Sequence, residues 1–107
     1  MKRYTVVFTP EAEEQIASLY GYIAAATSPD IAARYTSAIV DYCGSFNSLP
    51  HRGTQRNDVR PGLRITNYKG RAVIAFQVDD AALRIAIIGV FYGGQNYESS
   101  LRSELND

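Results

Sequence analysis

Two helix-start signals constrain the first half of this 107-residue chain. In each, a hydroxyl residue suits the N-cap, proline is tolerated at the first helical position, and an acid suits the positive end of the helix dipole. An apolar stripe at helical spacing follows each signal. The sequence therefore predicts two helices, the second ending at Pro50, which pack antiparallel because the turn between them is short. The signals are Thr9-Pro10-Glu11 and Thr27-Ser28-Pro29-Asp30, and the stripes are Ala12, Ile16, Leu19, Tyr20 and Ile23, then Ala32, Tyr35, Ile39, Tyr42, Cys43, Phe46 and Leu49.

Four segments rich in β-branched and aromatic residues predict strands. One precedes the helices, and three follow them as a meander through tight turns. Because an isolated strand cannot satisfy its backbone groups, the first strand is expected to join the same sheet. Apolar residues spaced four apart predict a short terminal helix. In chain order these elements are the strands 3–8, 63–68, 71–78 and 83–92 and a helix carrying Tyr97, Leu101 and Leu105.

The predicted order β-α-α-β-β-β-α describes a two-layer α+β domain, with the helical hairpin packed on one face of a small, mostly antiparallel sheet. The opposite face would be only partly covered. Residues 49–62 are polar and predict an ordered loop, and the near-continuous apolar run 83–92 predicts a strand lying centrally in the sheet. At this length we expect a single domain over residues 1–107. Ala72, Ile74, Phe76 and Val78 would share one face of their strand.

Composition excludes several classes of protein. One cysteine cannot form an internal disulfide or a cysteine-ligated zinc site, and one histidine cannot form a multi-histidine site, so we expect neither a metal nor a cofactor. Eleven basic and eleven acidic residues give a net charge of zero, which argues against binding nucleic acid by bulk attraction. No apolar run approaches the roughly 18–20 residues that span a bilayer, and no signal peptide is visible. We therefore expect a cytoplasmic protein.

The basic residues are unevenly distributed. Six of the eleven lie between positions 52 and 71, where Asp58 is the only acid. Arginine pairs two oxygens of a carboxylate or phosphate at once. The cluster is equally consistent with a solvated basic face and with a docking surface for an acidic partner or a phosphate backbone. The candidate binding residues are Arg52, Arg56, Arg60, Arg64 and Arg71.

Four other side chains are candidates for chemistry or binding. Tyr92 and Tyr97 flank the end of the last strand, where each could stack on a base or pack under the terminal helix. His51 could act as a general acid or base, or be a polar surface residue of the loop. Cys43 lies on an apolar stripe and is expected to be a buried, inert thiol.

Several segments spread through nearly the whole chain form a pattern by their order and spacing, although none is diagnostic alone. They are Phe8-Thr9-Pro10-Glu11-Ala12, Leu19-Tyr20-Gly21-Tyr22-Ile23, Leu49-Pro50-His51-Arg52-Gly53, Arg60-Pro61-Gly62-Leu63-Arg64, the strand 71–78 and Ile87-Ile88-Gly89-Val90-Phe91-Tyr92-Gly93-Gly94. Together they resemble toxins of the RelE/ParE superfamily from bacterial type II toxin–antitoxin modules. The resemblance implies the same β-α-α-β-β-β-α fold.

The resemblance also implies one of two activities. RelE-like members cut messenger RNA in the ribosomal decoding site with Lys and Arg on the middle strands, an Arg past the last strand and a C-terminal Tyr or His. ParE-like members are described as poisoning DNA gyrase. Here Arg64 and Arg71 could supply the strand cations, but Gln95 stands where relatives often carry Arg, and the net charge is zero. The segment 60–64 also resembles the ParE branch.

We therefore expect a ParE-like toxin that inhibits growth by poisoning gyrase and is not an enzyme. One alternative is a metal-independent RelE-like messenger-RNA endoribonuclease that uses Arg64 and Arg71 with Tyr92, Tyr97 or His51. The other is a plasmid-stabilisation remnant that binds its antitoxin without being toxic.

The resemblance implies a cognate, ParD-like antitoxin made of a DNA-binding dimer and a flexible acidic tail. That tail would lay an amphipathic helix along an apolar groove and pair its carboxylates with the arginines. Nucleic acid would then be contacted only through the antitoxin, and no membrane partner is expected. The sequence leaves the oligomeric state open.

Overall fold

The computed structural model describes residues 3–93, 97, 98 and 101, and it confirms the two-layer α+β architecture. Tyr97, Glu98 and Leu101 have helical backbone, in agreement with the predicted terminal helix, whereas Leu105 and Gln95 lie outside the described residues. The elements are β1 (Thr5–Phe8), α1 (Pro10–Ala26), α2 (Pro29–Gly44), a 3-10 helix (Ser45–Ser48), β2 (Thr54–Gln55), β3 (Leu63–Tyr68), β4 (Ala72–Asp79) and β5 (Arg84–Tyr92).

Within the described part of the chain, the strands form one mixed sheet of order β1-β5-β4-β3-β2. The first strand joins this sheet as predicted and runs parallel to β5, while the other pairs are antiparallel. The apolar strand β5 is interior, but β4 holds the central position that the sequence assigned to β5. The two-residue β2 lies inside the predicted loop. Its residues are both exposed, so they give no alternation of apolar and polar residues that could reveal a strand.

The helix starts are confirmed, but the end of the second helix is not. The side chains of Thr9 and Ser28 accept hydrogen bonds from backbone amides three residues on, at 3.2 Å each. The second helix ends at Gly44 rather than at Pro50. The Ser45 hydroxyl donates to the Tyr42 carbonyl, and the chain tightens into the 3-10 helix. Because this turn changes the angle between successive side chains, Leu49 is 58% exposed instead of continuing the stripe.

The sheet separates two apolar clusters. The predicted face of β4 faces the helices, where Ala72, Ile74 and Phe76 are fully buried and Val78 packs at the margin. The opposite face is covered by a smaller cluster that includes Val59 from the loop after β2 and Leu101. Val59 and Leu101 therefore supply the partial cover of the opposite face that the sequence predicted without assigning residues to it. Besides those two, the smaller cluster contains Leu63, Ala75 and Phe91.

The side chain of Gln15 accepts a hydrogen bond from β5 at a position that β1 does not reach. The last backbone hydrogen bond between the β1 segment and β5 runs from the Thr9 amide to the Ile87 carbonyl at 3.0 Å. Beyond it, the Val90 amide donates to Oε1 of Gln15 at 2.7 Å. A Cβ on Gly89 would lie 2.5 Å from the ring of Phe91 and 3.4 Å from the same Gln15 oxygen. The backbone at position 89 therefore lies so close to the Phe91 ring that it needs glycine.

We expect Gln15→Leu to lower the free energy of unfolding by about 1–3 kcal/mol, because the Val90 amide would lose its acceptor in a half-buried position while the side-chain volume is kept. Urea denaturation followed by circular dichroism measures the loss. Gln15→Glu retains an acceptor oxygen and should lose less. Equal losses in the two variants would show that the hydrogen bond is not what Gln15 contributes.

Candidate partner-binding groove

A groove of about 540 Å³ lies between α1 and the end of β5. It exists because β1 ends at Phe8, opposite Ile87, whereas β5 continues to Tyr92, and within the described residues no strand follows β1 on that side of β5. The groove offers an apolar floor with a polar wall, a common form for a protein that receives a partner's helix or extended segment. Its lining comprises Leu19, Val90, Tyr22, Tyr92, Gly93, Glu14, Gln15 and Ser18.

Tyrosine rings run from the rim of this groove along α2. Tyr22 and Tyr92 have ring centroids 6.2 Å apart, and Tyr92 lies 5.7 Å from Tyr35. Tyr35 lies 6.0 Å from Tyr68, which lies 5.0 Å from Tyr42. Tilted and edge contacts at these distances are favourable and fix the rings. Tyr22 is 65% exposed, so the rim presents an ordered aromatic surface to solvent.

Positive charge lies at the β5 end of the groove. The Gly93 amide donates to the Arg71 carbonyl at 3.2 Å, which places the β3–β4 turn beside the groove. Both Lys69 and Arg71 in this turn are exposed. Burial raises the pKa of the Tyr35 hydroxyl, and the nearby charge of Arg71 partly offsets that rise. Within the described ranges this hydroxyl has no hydrogen-bond partner.

Arg56 is neutralised by the chain's own carboxylates. Its guanidinium forms two 2.9 Å bonds with Asp58 and one 2.5 Å bond with Glu98, and it donates to the Tyr97 hydroxyl at 2.5 Å. The hydrogen bonds to Asp58 and Glu98 raise the pKa of Arg56. The ring of Tyr97 packs 6.1 Å from Phe91, in the smaller apolar cluster. Tyr97 thus packs against the sheet within this cluster, whereas the sequence offered stacking on a base or packing under the terminal helix.

Arg52 and Arg64 hold the loop that follows the 3-10 helix. Arg64 donates to the carbonyl of Arg52 at 2.9 Å and also to that of His51. The guanidinium of Arg52 lies over the rings of Phe46 and Tyr42, 4.8 and 5.3 Å from their centroids. Cation–π contacts of this kind fix the loop against the helix layer.

His51 belongs to a small exposed cluster at the β4–β5 turn. Its Nε2 lies 3.0 Å from Oδ1 of Asp80, and the hydroxyl of Tyr4 donates to the same oxygen at 2.6 Å. That hydrogen bond raises the pKa of Tyr4. A carboxylate that holds one imidazole nitrogen orients the ring, so His51 has the geometry of a positioned acid–base group.

The structure distributes the candidate arginines over three places. Arg71 lies with Tyr92 at the groove, Arg56 lies with Tyr97 across the sheet, and Arg52 lies with Arg64 in the loop. Arg64 lies near the start of β3 and Arg71 lies in the turn beyond its other end, and β3 spans about 13 Å from Arg64 to Tyr68 at 3.3 Å per residue. Arg60 is half-buried near the start of β3. Their common role in binding remains a prediction.

The sequence analysis missed Tyr22 as a groove residue. The sequence does contain an indication of this role, because Tyr22 is an aromatic residue on α1 that falls outside the apolar stripe. Cys43 is fully buried, and burial raises its pKa to about 12, as expected for an inert thiol.

The residues that the structure describes contain no group of three or more His, Cys, Asp or Glu side chains able to hold a metal ion. None of their helices combines the length and the apolar character needed to cross a bilayer.

Comparison with known families decides what kind of protein carries this groove. A family model described as the ParE toxin of the type II toxin-antitoxin system, parDE, matches residues 6–97. The chain belongs to this ParE toxin family. The match runs from β1 to Tyr97 and so includes both helices, all strands and every candidate site residue. The resemblance read from the sequence is thereby confirmed, including its ParE side.

Two solved structures share the fold of this ParE-family toxin. The chromosomal ParDE toxin–antitoxin system from P. aeruginosa superposes with a TM-score of 0.72 at 18% identity, covering 84% of this chain and 96% of that one. The RelBE2 toxin–antitoxin complex from Mycobacterium tuberculosis gives 0.62 at 21% identity, covering 85% and 99%. Comparison with curated protein sequences gives no match.

Proposed function

We propose that this ParE-family toxin arrests growth by poisoning DNA gyrase and not by cleaving RNA. The observation that supports this choice is the internal neutralisation of Arg56 by Asp58 and Glu98. RNA cleavage needs a base, an acid and cations free to stabilise a charged phosphorane. On the sheet face that carries Tyr97, the guanidinium of Arg56 instead binds Asp58 and Glu98 and donates to the Tyr97 hydroxyl.

The proposal includes neutralisation by a ParD-like antitoxin, the type of partner present in the ParDE system of similar fold. An acidic amphipathic segment would place apolar side chains on Leu19 and Val90 and pair its carboxylates with Lys69 and Arg71. Glu14 in the groove wall repels acids there, so the acidic part of the segment would lie at the β5 end.

A pair of assays separates the two activities. The purified chain should cause gyrase to accumulate covalently trapped double-strand breaks in plasmid DNA, and it should leave message intact in a cell-free translation mixture. Cleaved message with unaffected gyrase would overturn the proposed function.

RNA cleavage is the second candidate, and the orientation of His51 by Asp80 is the observation that favours it. His51→Ala would abolish such cleavage, because it removes the one imidazole of the chain and with it the acid–base group of that cluster. Under the gyrase proposal the same variant retains full toxicity in cells, and Asp80→Asn serves as a second variant with the ring retained.

We expect Arg71→Glu to weaken binding of the antitoxin encoded beside this gene by about tenfold to a hundredfold, because it replaces an attractive charge at the groove by a repulsive one. Isothermal titration calorimetry measures the change. Arg84→Glu carries the same charge change at the opposite, exposed end of β5 and should bind normally. Equal weakening in both variants would show that bulk charge, not the groove, attracts the antitoxin.

A further inference from the structure

The outer edge of β1 is open over a short stretch. The Thr5 amide donates to the carbonyl of Leu83, just before β5, at 2.9 Å, and the Thr9 amide donates to that of Ile87 in β5 at 3.0 Å. Because alternate residues of a strand point their main-chain amides and carbonyls to opposite sides, the amide and carbonyl of Val7 also point to β5. The amides and carbonyls of Val6 and Phe8 therefore point away from the sheet, toward the side on which the described residues place no strand next to β1.

Before this stretch, the backbone of the outer edge is hydrogen-bonded within the chain. Within the stretch, the edge lacks the residues that usually prevent pairing with another strand. The Tyr4 amide, on the outer side, donates to the Asn47 carbonyl of the 3-10 helix at 3.0 Å. From Thr5 to Phe8 there is no charge and no proline, although proteins usually guard such edges with one or the other. Val7 is 37% exposed on the face away from the helices. This is the pattern of an edge that another strand covers.

We propose that a second copy of this chain covers it, with the two β1 strands antiparallel about a twofold axis at Val7. Val6 and Phe8 are placed symmetrically about Val7, so Val6 of each copy faces Phe8 of the other. Their outward amides and carbonyls then form four hydrogen bonds that leave none of these groups unpaired. Val7 meets its own counterpart in a non-hydrogen-bonded pair, where side chains approach closely.

Charge favours a second copy over an acidic segment as the occupant. Antiparallel pairing directs the exposed Arg3 of one copy toward Glu11 and Glu13 in the first turn of α1 of the other. The same two glutamates would repel an acidic tail running along this edge. The net charge of zero also removes long-range repulsion between copies. The self-pairing is independent of the groove and of the target of the toxin.

Sedimentation equilibrium over increasing concentration tests the pairing. The short stretch predicts a weak dimer, with a dissociation constant on the order of micromolar. Val7→Lys places two ammonium groups against each other at the axis and should raise that constant at least tenfold. Ile31→Lys, which adds the same charge at an exposed apolar position on α2, should leave it unchanged. A chain that stays monomeric at high concentration, or a dimer that tolerates Val7→Lys, overturns the proposal.

Amide hydrogen exchange gives a second readout that does not depend on a variant. The Val6 and Phe8 amides should exchange rapidly in dilute solution and slowly in concentrated solution, whereas the Val7 amide should be protected in both. Concentration-independent exchange at Val6 and Phe8, with dimers present, would place the interface elsewhere.

Discussion

Phe46→Ala is expected to lower the free energy of unfolding by about 3–5 kcal/mol, the range measured when buried phenylalanines are truncated in other cores. Phe46 is fully buried, with its ring 4.8 Å from that of Phe76 and 5.4 Å from that of Tyr42. The substitution removes the side chain that anchors the 3-10 helix in the main cluster. Since small domains are stable by only about 5–15 kcal/mol, this loss is a large part of the total stability.

Phe46→Leu is the matched control, because it keeps an apolar side chain in the same place and should cost less than half as much. Urea denaturation monitored by circular dichroism compares the two. The alanine variant should also free the loop guanidinium of Arg52, which lies 4.8 Å from the Phe46 ring. Equal losses for alanine and leucine would mean that Phe46 does not fill the core as described.

Gly53→Ala is expected to lower the free energy of unfolding by about 3 kcal/mol, through two separate causes. Gly53 has a φ of 77°, a conformation that costs residues with a Cβ about 1–2 kcal/mol. In addition, the new Cβ would lie 2.1 Å from the carbonyl oxygen of Ile65. Since Ile65 pairs with Thr54, relieving this clash would separate β2 from β3.

Gly70→Ala measures the cost of the positive φ alone. Gly70 has a φ of 71° but open space around the position of a Cβ, so only the backbone cost of about 1 kcal/mol applies. Thermal and urea unfolding of both variants measures the difference. If the two substitutions cost the same, the contact between Gly53 and Ile65 is not restrictive, and β2 contributes little.

These two sites lie on either side of the loop that carries Arg52 and His51. Phe46 supports it from the helix layer, and Gly53 allows it to approach β3. Arg64 completes the support by donating to two loop carbonyls. Two of the arginines that the sequence grouped with the binding residues therefore have a structural role, whatever they contact outside the chain.

The local patterns of the sequence determined both helix starts and four of the five strands that the structure describes, but not β2 or the end of α2. Thr9 and Ser28 define helix starts because a cap acts on the amides of its own first turn. The period-two pattern of β4 assigned Ala72, Ile74 and Phe76 to one face for the same reason, since strand alternation is a property of neighbouring residues. Spacing along the chain was also enough to indicate the ParE fold.

Only the tertiary structure decided how these elements are used. Arg56 is neutralised by Glu98, 42 positions away, and the Val90 amide is capped by Gln15, 75 positions away. The groove results from a difference in length between β1 and β5, which are parallel neighbours only in the folded chain. Periodicity and capping report forces that act within a few residues. Which charges are cancelled and which edges stay open depends on contacts between residues far apart in sequence, and those exist only after the chain has packed.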